Sequence, residues 1–376
     1  MKAVFDREGL LAAFQVVSAV APARTIKPIL QNVKLVANEE RSILMATDIE
    51  SVGVRMEVRG VQVQDAGQVL LPTARALSIF REARNRDLHI EADESSTLIR
   101  TEHSEFELPG EDPAQYPDVP GFTGEQYHQI SSDTLREMIL RTTFAAASES
   151  ARYAMTGVMW ELNGDKVRLV ATDGRRLAIC DGQGQAHGSH STEGQTPVVP
   201  TKVMSLLEKN LVDPDEQICV RFAPNDVLFK TSRAEIYGRL VEGRFPPYKE
   251  VLPKKLPIKI PLTVGPLLSA CKQGAILTDE ETRGVDFDFG DGKLTIKARV
   301  ADKGRAKIEL PISYDGKPIG LTFDPKMVID MLRILDEDTE LSLELADSNT
   351  AAVFKLQGQY IYIVMPLERH AAAGSK

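Results

Sequence analysis

The stretch LVATDGRRLAI, residues 169–179, brings a Thr, an Asp, a Gly and two Arg together between apolar residues. Such residues can bind phosphate in an active site, or they can form a structural turn. The start of this stretch recurs as LMATDIESV at residues 44–52. A catalytic site seldom appears twice in one chain, whereas a structural unit often does. The recurrence therefore indicates that Asp48 and Asp173 form structural turns, in which a short Asp side chain commonly accepts hydrogen bonds from nearby backbone.

The motifs that would indicate an enzyme or a metal site are missing from the sequence. There is no GxxxxGK[ST], HExxH, GxSxG or CxxC pattern, and GDGKLT at 290–295 is typical of a hairpin turn. His187 and His190 lie close together, but no third metal ligand accompanies them. We therefore expect no catalytic residue, no metal and no cofactor. A hydrolase that uses Asp173 and His190 stays open as an alternative.

Length and composition indicate a soluble protein of several domains. A chain of 376 residues is long enough for two or three domains, at about 150 residues each. No apolar run reaches the ~18 residues of a membrane span, and MKAVFDREGL is not a signal peptide. Three cysteines argue against a disulfide framework, so we expect a cytoplasmic protein. The net charge of −9 argues against tight nucleic-acid binding.

One unit of about 125 residues occurs three times. Val33, Val158 and Val285 occupy equivalent positions, separated by 125 (158 − 33) and 127 (285 − 158) residues. The three copies read LQNVKLVANEERSILMATD, MTGVMWELNGDKVRLVATD and TRGVDFDFGDGKLTIKARVAD. Each contains a predicted hairpin, and NGD and GDG are favourable hairpin turns.

Helix signals recur in the same frame. Thr73 and Thr201 are predicted N-caps, as is Asp324, which precedes a Pro suited to the first helical position. The predicted helices cover residues 7–20, 73–86, 132–147, 201–211, 265–276 and 324–335. The fold class is therefore α+β, with three similar domains that each carry two helices packed on antiparallel sheets.

Pro- and Gly-rich stretches mark the predicted domain boundaries. The domains are predicted at 1–124, 125–253 and 254–376, the last with a short flexible C-terminal tail. Residues 182–197, GQGQAHGSHSTEGQTP, are predicted to form a flexible loop inside the second domain.

The ordered strings of this chain resemble those of the bacterial DNA polymerase III beta subunit, or sliding clamp, family. The resemblance covers nearly the whole chain and is carried by PILQNVKL, RYAMTGV, VATDGRRLAI, EGRFPPYKEVLP, LTDEETRGV and YIVMPL. It implies a clamp fold assembled as a ring by a head-to-tail homodimer. It also implies a non-catalytic processivity factor that encircles duplex DNA, slides without sequence specificity and tethers the replicative polymerase.

Helix charge agrees with this resemblance. The predicted helices hold twelve basic and seven acidic residues, a net charge of +5 (12 − 7), which leaves −14 for the rest. A ring needs only weak, salt-sensitive phosphate contacts, because enclosure keeps it on DNA. Helix charge and the resemblance together predict DNA-facing positions at Arg24, Arg75, Arg81, Arg84, Arg136, Arg141, Tyr153, Lys202, Lys209, Lys272, Lys326 and Arg333.

The resemblance also implies a pocket between the second and third domains for short Gln/Leu/Phe-type motifs. The partners implied are the DNA polymerase III alpha subunit, the clamp loader, other polymerases and repair proteins, and no membrane. The implied lining is Met155, Thr172, Gly174, Arg175, Arg176, Leu177, Pro246, Val251, Met327, Val364, Met365, Pro366 and Leu367. Departures from the family at Glu250, Thr282 and Met327 put the motif preference in question.

The resemblance places the dimer contact between Phe106 and Leu108, on a predicted edge strand, and Ile276 and Leu277 of the other copy. The acidic run expected near Asp302 is diluted to VADKGRAKIEL, so apolar contacts should dominate. A peptide-binding adaptor that never meets DNA stays open as a further alternative.

Overall fold

The computed structural model describes residues 1–149, 153–278, 283–300, 303–356 and 358–368. The sequence interpretations of Thr282, Asp302 and residues 369–376 of the tail lie outside these residues. Within the described residues, none of the helices combines the length and the apolar character that crossing a bilayer requires.

Six α-helices lie in the described part of the chain, as predicted. They span Arg7–Ser18 (α1), Thr73–Glu82 (α2), Ser132–Thr142 (α3), Thr201–Glu208 (α4), Val264–Ala275 (α5) and Pro325–Leu332 (α6). Most end a few residues earlier than predicted. Helix α2 ends because Ala83 adopts an extended backbone, so Arg84 follows the helix instead of belonging to it.

The strands fall into three successive stretches of the chain. The first contains Lys2–Asp6 (β1), Asn32–Ala37 (β2), Ser42–Thr47 (β3), Val52–Val58 (β4), Val61–Asp65 (β5), Gly67–Pro72 (β6), Asp87–Ala92 (β7), Ser96–Arg100 (β8) and Glu105–Pro109 (β9). The second contains Tyr127–Ser131 (β10), Gly157–Asn163 (β11), Lys166–Thr172 (β12), Arg176–Gln183 (β13), Gln185–His187 (β14), Val198–Pro200 (β15), Gln217–Phe222 (β16), Asp226–Lys230 (β17) and Ala234–Arg239 (β18). The third contains Ile258–Thr263 (β19), Val285–Gly290 (β20), Lys293–Val300 (β21), Gly304–Pro311 (β22), Ile319–Phe323 (β23), Glu340–Leu345 (β24), Ala352–Leu356 (β25) and Tyr360–Val364 (β26).

The described residues group into two compact units. The first consists of Met1–Asp133, Gly184–Thr192 and Val199–Leu240. It contains a five-stranded sheet of order β5-β1-β7-β8-β9 and a nine-stranded sheet of order β14-β10-β16-β17-β18-β4-β3-β2-β6. Phe14 of α1 meets Phe80 of α2 edge to face, with ring centroids 5.1 Å apart, in the core beneath these helices.

The second unit contains Thr134–Gln183, Glu193–Val198 and the described residues from Val241 onward. Its sheets have the orders β15-β11-β12-β13-β26-β25-β24-β19 and β22-β21-β20-β23. The largest buried side chains of this unit include Trp160, Tyr360 and Tyr362, all of which lie on strands of the eight-stranded sheet.

Each large sheet combines strands from two predicted domains. In the first unit, Ile236 of β18 pairs antiparallel with Val54 of β4. In the second unit, Ile179 of β13 pairs antiparallel with Ile361 of β26. The compact units therefore do not coincide with the three sequence repeats, and the predicted boundaries at 124/125 and 253/254 stay a prediction.

The turns after β3 and β12 have the same construction. Asp48 accepts backbone hydrogen bonds from Glu50, Ser51 and Val52, and Asp173 accepts them from Arg175 and Arg176. The next residue is left-handed in both turns, with φ of 63° at Ile49 and 87° at Gly174. The prediction that both aspartates shape turns is confirmed.

Two of the three predicted caps are wrong. The caps of α2 and α4 are Pro72 and Pro200, so Thr73 and Thr201 are the first helical residues and neither helix has a side-chain cap. The Thr73 hydroxyl donates instead to the carbonyl of Gln31. The third prediction is confirmed, because Asp324 caps α6 by accepting the N–H of Lys326.

The predicted flexible loop at 182–197 is wrong for its first half. Residues Gln185–His187 form β14, which pairs with β10. His190 is buried, its Nδ1 lies 2.7 Å from Nδ1 of His128, and its Nε2 accepts the N–H of Phe222 at 2.9 Å. Gly- and Ser-rich composition hid these contacts, because their partners in β10 and β16 are distant in sequence.

The burial of His190 makes the first unit sensitive to acid. Burial, followed by the charge of His128, lowers the pKa of His190 from 6.5 to about 4. The neutral ring is therefore favoured in the folded state, and its contribution is complete above pH 6.5 and lost as pH falls towards 4. We expect His190→Gln to remove about 2–3 kcal/mol of pH-dependent stability across this window, at 1.36 kcal/mol per pKa unit. Denaturant titrations at pH 7 and pH 4.5 give the free energy of unfolding of the wild type and of the variant. An equal loss of stability between the two pH values in both proteins would contradict the prediction.

Candidate functional site

The turn between β12 and β13 is held by its own side chains. Thr172 Oγ1 donates to the Arg176 carbonyl at 2.6 Å and accepts the Gly174 N–H at 3.1 Å. The left-handed Gly174 has no atom within 4 Å of the position a Cβ would occupy. The turn therefore presents exposed backbone at its tip while its base stays rigid.

Arg176 joins this turn to two other elements of the second unit. Its guanidinium donates to Asp173 and Asp330, both at 2.9 Å, and to the Phe144 carbonyl at 2.8 Å. Burial by itself would lower the pKa of Arg176, but the Tyr362 oxygen and the two carboxylates raise it above its ordinary value. The guanidinium is thus occupied by contacts within the chain, and only the rest of the side chain is available to line a surface.

A groove of about 200 Å³ lies beside this turn. The terminal strand β26 forms one side, because Leu177 pairs with Ile363 and the Met365 N–H donates to the Arg175 carbonyl. A short 3-10 helix, Tyr248–Glu250, lies on the other side. The residues around this apolar groove are Met155, Thr172, Gly174, Arg175, Arg176, Leu177, Pro246, Pro247, Tyr248, Glu250, Val251, Ala351, Ile363 and Met365.

Most residues predicted for the pocket meet in this groove. Those that do not are Met327, Val364, Pro366 and Leu367. Successive strand residues point to opposite faces, so Ile363 and Met365 face the groove and Val364 is fully buried on the other side. Period-two alternation in YIYIVM is the signal that would have selected Ile363.

Leu367 leaves the groove because its N–H donates to the carbonyl of Thr322. Met327 lines a second concavity of about 890 Å³. We call it the basic cavity, after the Arg and Lys side chains among its lining residues, which are Ser148, Asp173, Arg175, Arg176, Ala275, Thr278, Arg283, Asp324, Pro325, Lys326, Met327, Ile329, Asp330 and Arg333.

Sequence reasoning missed several groove residues. They are Pro247, Tyr248, Ala351 and Ile363, while Glu250 was noted only as a departure from the family. Tyr248 is buried and donates its hydroxyl to Glu161 at 3.1 Å, which fixes the short helix against β11. The string FPPYKEV, which places two Pro before Tyr248, was the available signal.

The predicted DNA-facing residues differ in their environments. Arg141 has a side chain only 18% exposed, pairs with Glu137 and lies over the Tyr360 ring, while Tyr153 is half-buried. Lys202 is exposed and pairs with Asp48 at 2.7 Å. Exposed positions in the first unit are Arg24, Arg75, Arg81, Arg84, Lys202 and Lys209, and in the second unit Arg136, Lys272, Lys326 and Arg333.

The predicted dimer-contact residues are only partly accessible. β9 is an edge strand among the described residues, as predicted, and Phe106 on it is 38% exposed. Leu108 is 6% exposed, so it already belongs to the core of the first unit. Ile276, at the end of α5, is 76% exposed and Leu277 is half-buried.

The residues proposed for a hydrolase are engaged in structural bonds. Asp173 holds the β12–β13 turn and Arg176, whereas His190 bonds with His128 and Phe222. In the part of the chain described, no group of three or more His, Cys, Asp or Glu side chains is placed to hold a metal ion. The three cysteines are free thiols.

Comparison with known proteins identifies the family. Family models for the DNA polymerase III beta subunit match the N-terminal domain at residues 1–120, the central domain at 129–247 and the C-terminal domain at 249–367. A beta sliding clamp from Pseudomonas aeruginosa is 30% identical, and one from Pseudomonas putida 29%; each alignment covers 98% of this chain and 100% of the relative.

Solved structures of sliding clamps are also similar to this chain. A sliding clamp (DNA polymerase III subunit beta) from P. aeruginosa bound to griselimycin has a TM-score of 0.91 at 28% identity, and 98% of this chain and 100% of that one are covered. A sliding clamp from Bacillus subtilis, 22% identical with the same coverage, has a TM-score of 0.92 and shares the fold. The three-domain α+β clamp fold expected from the sequence is thus confirmed. The chain belongs to the DNA polymerase III beta subunit family.

Proposed function

We propose that this protein is a processivity factor that encircles duplex DNA as a head-to-tail homodimer and tethers a replicative polymerase. The apolar groove in the second unit carries this proposal, together with the relatives named beta sliding clamps. The proposal includes a non-catalytic role, which is supported by the structural hydrogen bonds of Asp173 and His190.

The groove suits a short linear motif with one polar and two large apolar residues. Leu177, Ile363 and Ala351 line it with buried apolar surface, while Met365 and Val251 are exposed at its edge. A few apolar anchors supply most of the binding energy of such peptides, and Met side chains adapt to several partners. The partners proposed are therefore the polymerase alpha subunit, the clamp loader, other polymerases and repair proteins.

Retention on DNA is proposed to depend on enclosure. The exposed Arg and Lys outside the basic cavity can contact phosphates of any sequence, and such contacts weaken with salt. An overall charge of −9 opposes tight binding, which would also slow sliding. A closed ring needs no tight contact, so an acidic protein can remain on DNA.

A retention assay tests enclosure. We expect protein loaded by a clamp loader onto nicked circular DNA to remain bound through gel filtration and to leave when a restriction enzyme linearises the DNA. Blocking the ends of the linear DNA with bound protein should restore retention. Equal loss from circular and linear DNA would remove the encircling proposal and favour a peptide-binding adaptor that never meets DNA.

A further inference from the structure

The basic cavity adjoins the apolar groove but differs from it in chemical character. Arg175 and Arg176 line both concavities, so the two meet at the β12–β13 turn. A peptide that leaves the groove at this wall enters the basic cavity. At about 890 Å³, the cavity is more than four times the volume of the groove, so it can accept several further residues.

Cations exceed carboxylates in this cavity. Five basic residues and three aspartates line it, which gives a formal charge of +2 (5 − 3). Two of the aspartates, Asp173 and Asp330, are already paired with Arg176 at 2.9 Å. The third, Asp324, accepts the Lys326 N–H as the cap of α6. Asp173 and Asp330 thus lie against the single guanidinium of Arg176, and the whole lining keeps its formal excess of positive charge.

Three of those cations have no ion-pair partner among the residues that the structure describes. Arg175, Lys326 and Arg333 are exposed and make no ion pair among the described residues. Arg283 adds a fourth positive charge to the same lining. Like charges around one concavity repel each other, so a bound anion relieves this repulsion and gains charge-assisted hydrogen bonds from the guanidinium groups.

We propose that the basic cavity binds an acidic segment that flanks the apolar motif of a docked partner. This inference rests on the proposed peptide function of the groove. A peptide with two or three separated carboxylates can meet Arg175, Lys326 and Arg333 while it avoids Asp324. A nucleic-acid strand carries charge at every residue and would bring phosphates close to that aspartate, so the acidic peptide is the better match.

Synthetic peptides test the proposal on the full-length protein. One fluorescent peptide carries a Gln/Leu/Phe-type core with Ser-Gly flanks, and others carry three acidic residues before or after the same core. We expect one of the acidic peptides to bind about fivefold to tenfold more tightly than the Ser-Gly peptide, as two or three exposed ion pairs would give. The affinity advantage of the acidic peptide should shrink when salt rises from about 0.05 M to about 0.5 M, because salt screens the attraction between its carboxylates and the cations of the cavity.

Variants assign the gain to the cavity. Lys326→Gln with Arg333→Gln should abolish the advantage of the acidic flank and leave the affinity of the Ser-Gly peptide unchanged. The control, Lys230→Gln with Lys317→Gln, removes two exposed charges outside both concavities and should keep the advantage. Thermal melting of both variants checks that the fold is intact.

The outcomes distinguish a failure of the groove proposal from a failure of the basic-cavity proposal. If no peptide binds, the proposed function of the groove fails. If the core peptide binds but neither acidic flank adds affinity, or the gain persists in the cavity variant, the inference about the basic cavity is overturned while the groove stands. If a short single-stranded oligonucleotide binds the cavity and its affinity falls in the cavity variant, while acidic flanks have no effect, the cavity is a nucleic-acid site and the inference is again overturned.

Discussion

Alanine at both Ile276 and Leu277 is expected to convert a dimer, with a mass near twice 41.4 kDa, into a monomer of 41.4 kDa. Ile276 is 76% exposed in the single chain, so its truncation removes little from the monomer's own core. In the proposed ring the same side chain is covered by the edge strand of the other copy. Burial of a large aliphatic side chain contributes about 1.5–3 kcal/mol, and the contact occurs twice in a closed ring. Sedimentation equilibrium measures the mass.

A matched control is available for this experiment. Val212 is also an exposed apolar residue, at 64%, and lies outside the proposed contact. Val212→Ala should therefore leave the dimer intact. An unchanged dimer in the Ile276/Leu277 variant would count against the assigned contact, whereas a wild-type monomer at micromolar concentration would count against the ring itself.

The finding that Leu108 is buried changes how the contact should be understood. Leu108 and Phe106 share one face of β9, since they are two residues apart. Leu108 is already covered, and Phe106 is the accessible member. The edge strand can thus offer its free backbone groups and the Phe106 ring to a partner, while Leu108 holds the strand to its own sheet.

Local sequence signals predicted the repeated elements well. The NGD turn forms between β11 and β12, and in GDG both Asp291 and Gly292 are left-handed, as a two-residue hairpin turn requires. The second helix of each repeat was found from a Pro near its start, and the first from its equivalent place in the repeat. Most helices were predicted to extend past their actual C-terminal ends. A helix that stops without Gly or Pro, as α2 does at Glu82, gives no clear end signal in the sequence.

Long-range contacts were beyond local signals. The pairing of β13 with β26 joins residues such as Ile179 and Ile361, and nothing in either strand specifies the other. The same limit applies to the bond between His128 and His190, which lie 62 residues apart. A single contact between two side chains does not change the composition of a segment. The Gly- and Ser-rich residues 182–197 were therefore predicted to be flexible.

The candidate groove was predicted largely from family resemblance and only partly from physics. Asp173 and Gly174 follow from turn chemistry, which the duplicate at Asp48 made visible. Strand alternation shows that Ile363, and not the predicted Val364, faces the groove. The role of Arg176 could not be read locally, because its partners Phe144 and Asp330 are distant in sequence.

Arg176→Met is expected to lower the free energy of unfolding by about 2–3 kcal/mol. The side chain is 12% exposed, and its loss leaves Asp173 and Asp330, each 21% exposed, without their shared cation. Removing one partner of a largely buried pair costs more than the pair contributes, because the remaining charges stay desolvated. Met retains much of the length and the apolar surface, so the loss reports on the guanidinium. Urea titration followed by circular dichroism measures the change.

Arg175→Met is the matched control for Arg176→Met. The two arginines are neighbours on one turn, but Arg175 is exposed and makes no ion pair among the described residues, so its replacement should change stability by no more than about 0.5 kcal/mol. Adding Asp330→Asn to Arg176→Met should recover part of the loss, because it removes one stranded carboxylate. Peptide affinity should follow the stability of the turn, so Arg176→Met should weaken binding of a core peptide although the guanidinium is bound to Asp173, Asp330 and the Phe144 carbonyl. Equal stability of the two methionine variants would show that the network of Arg176 does not hold the turn.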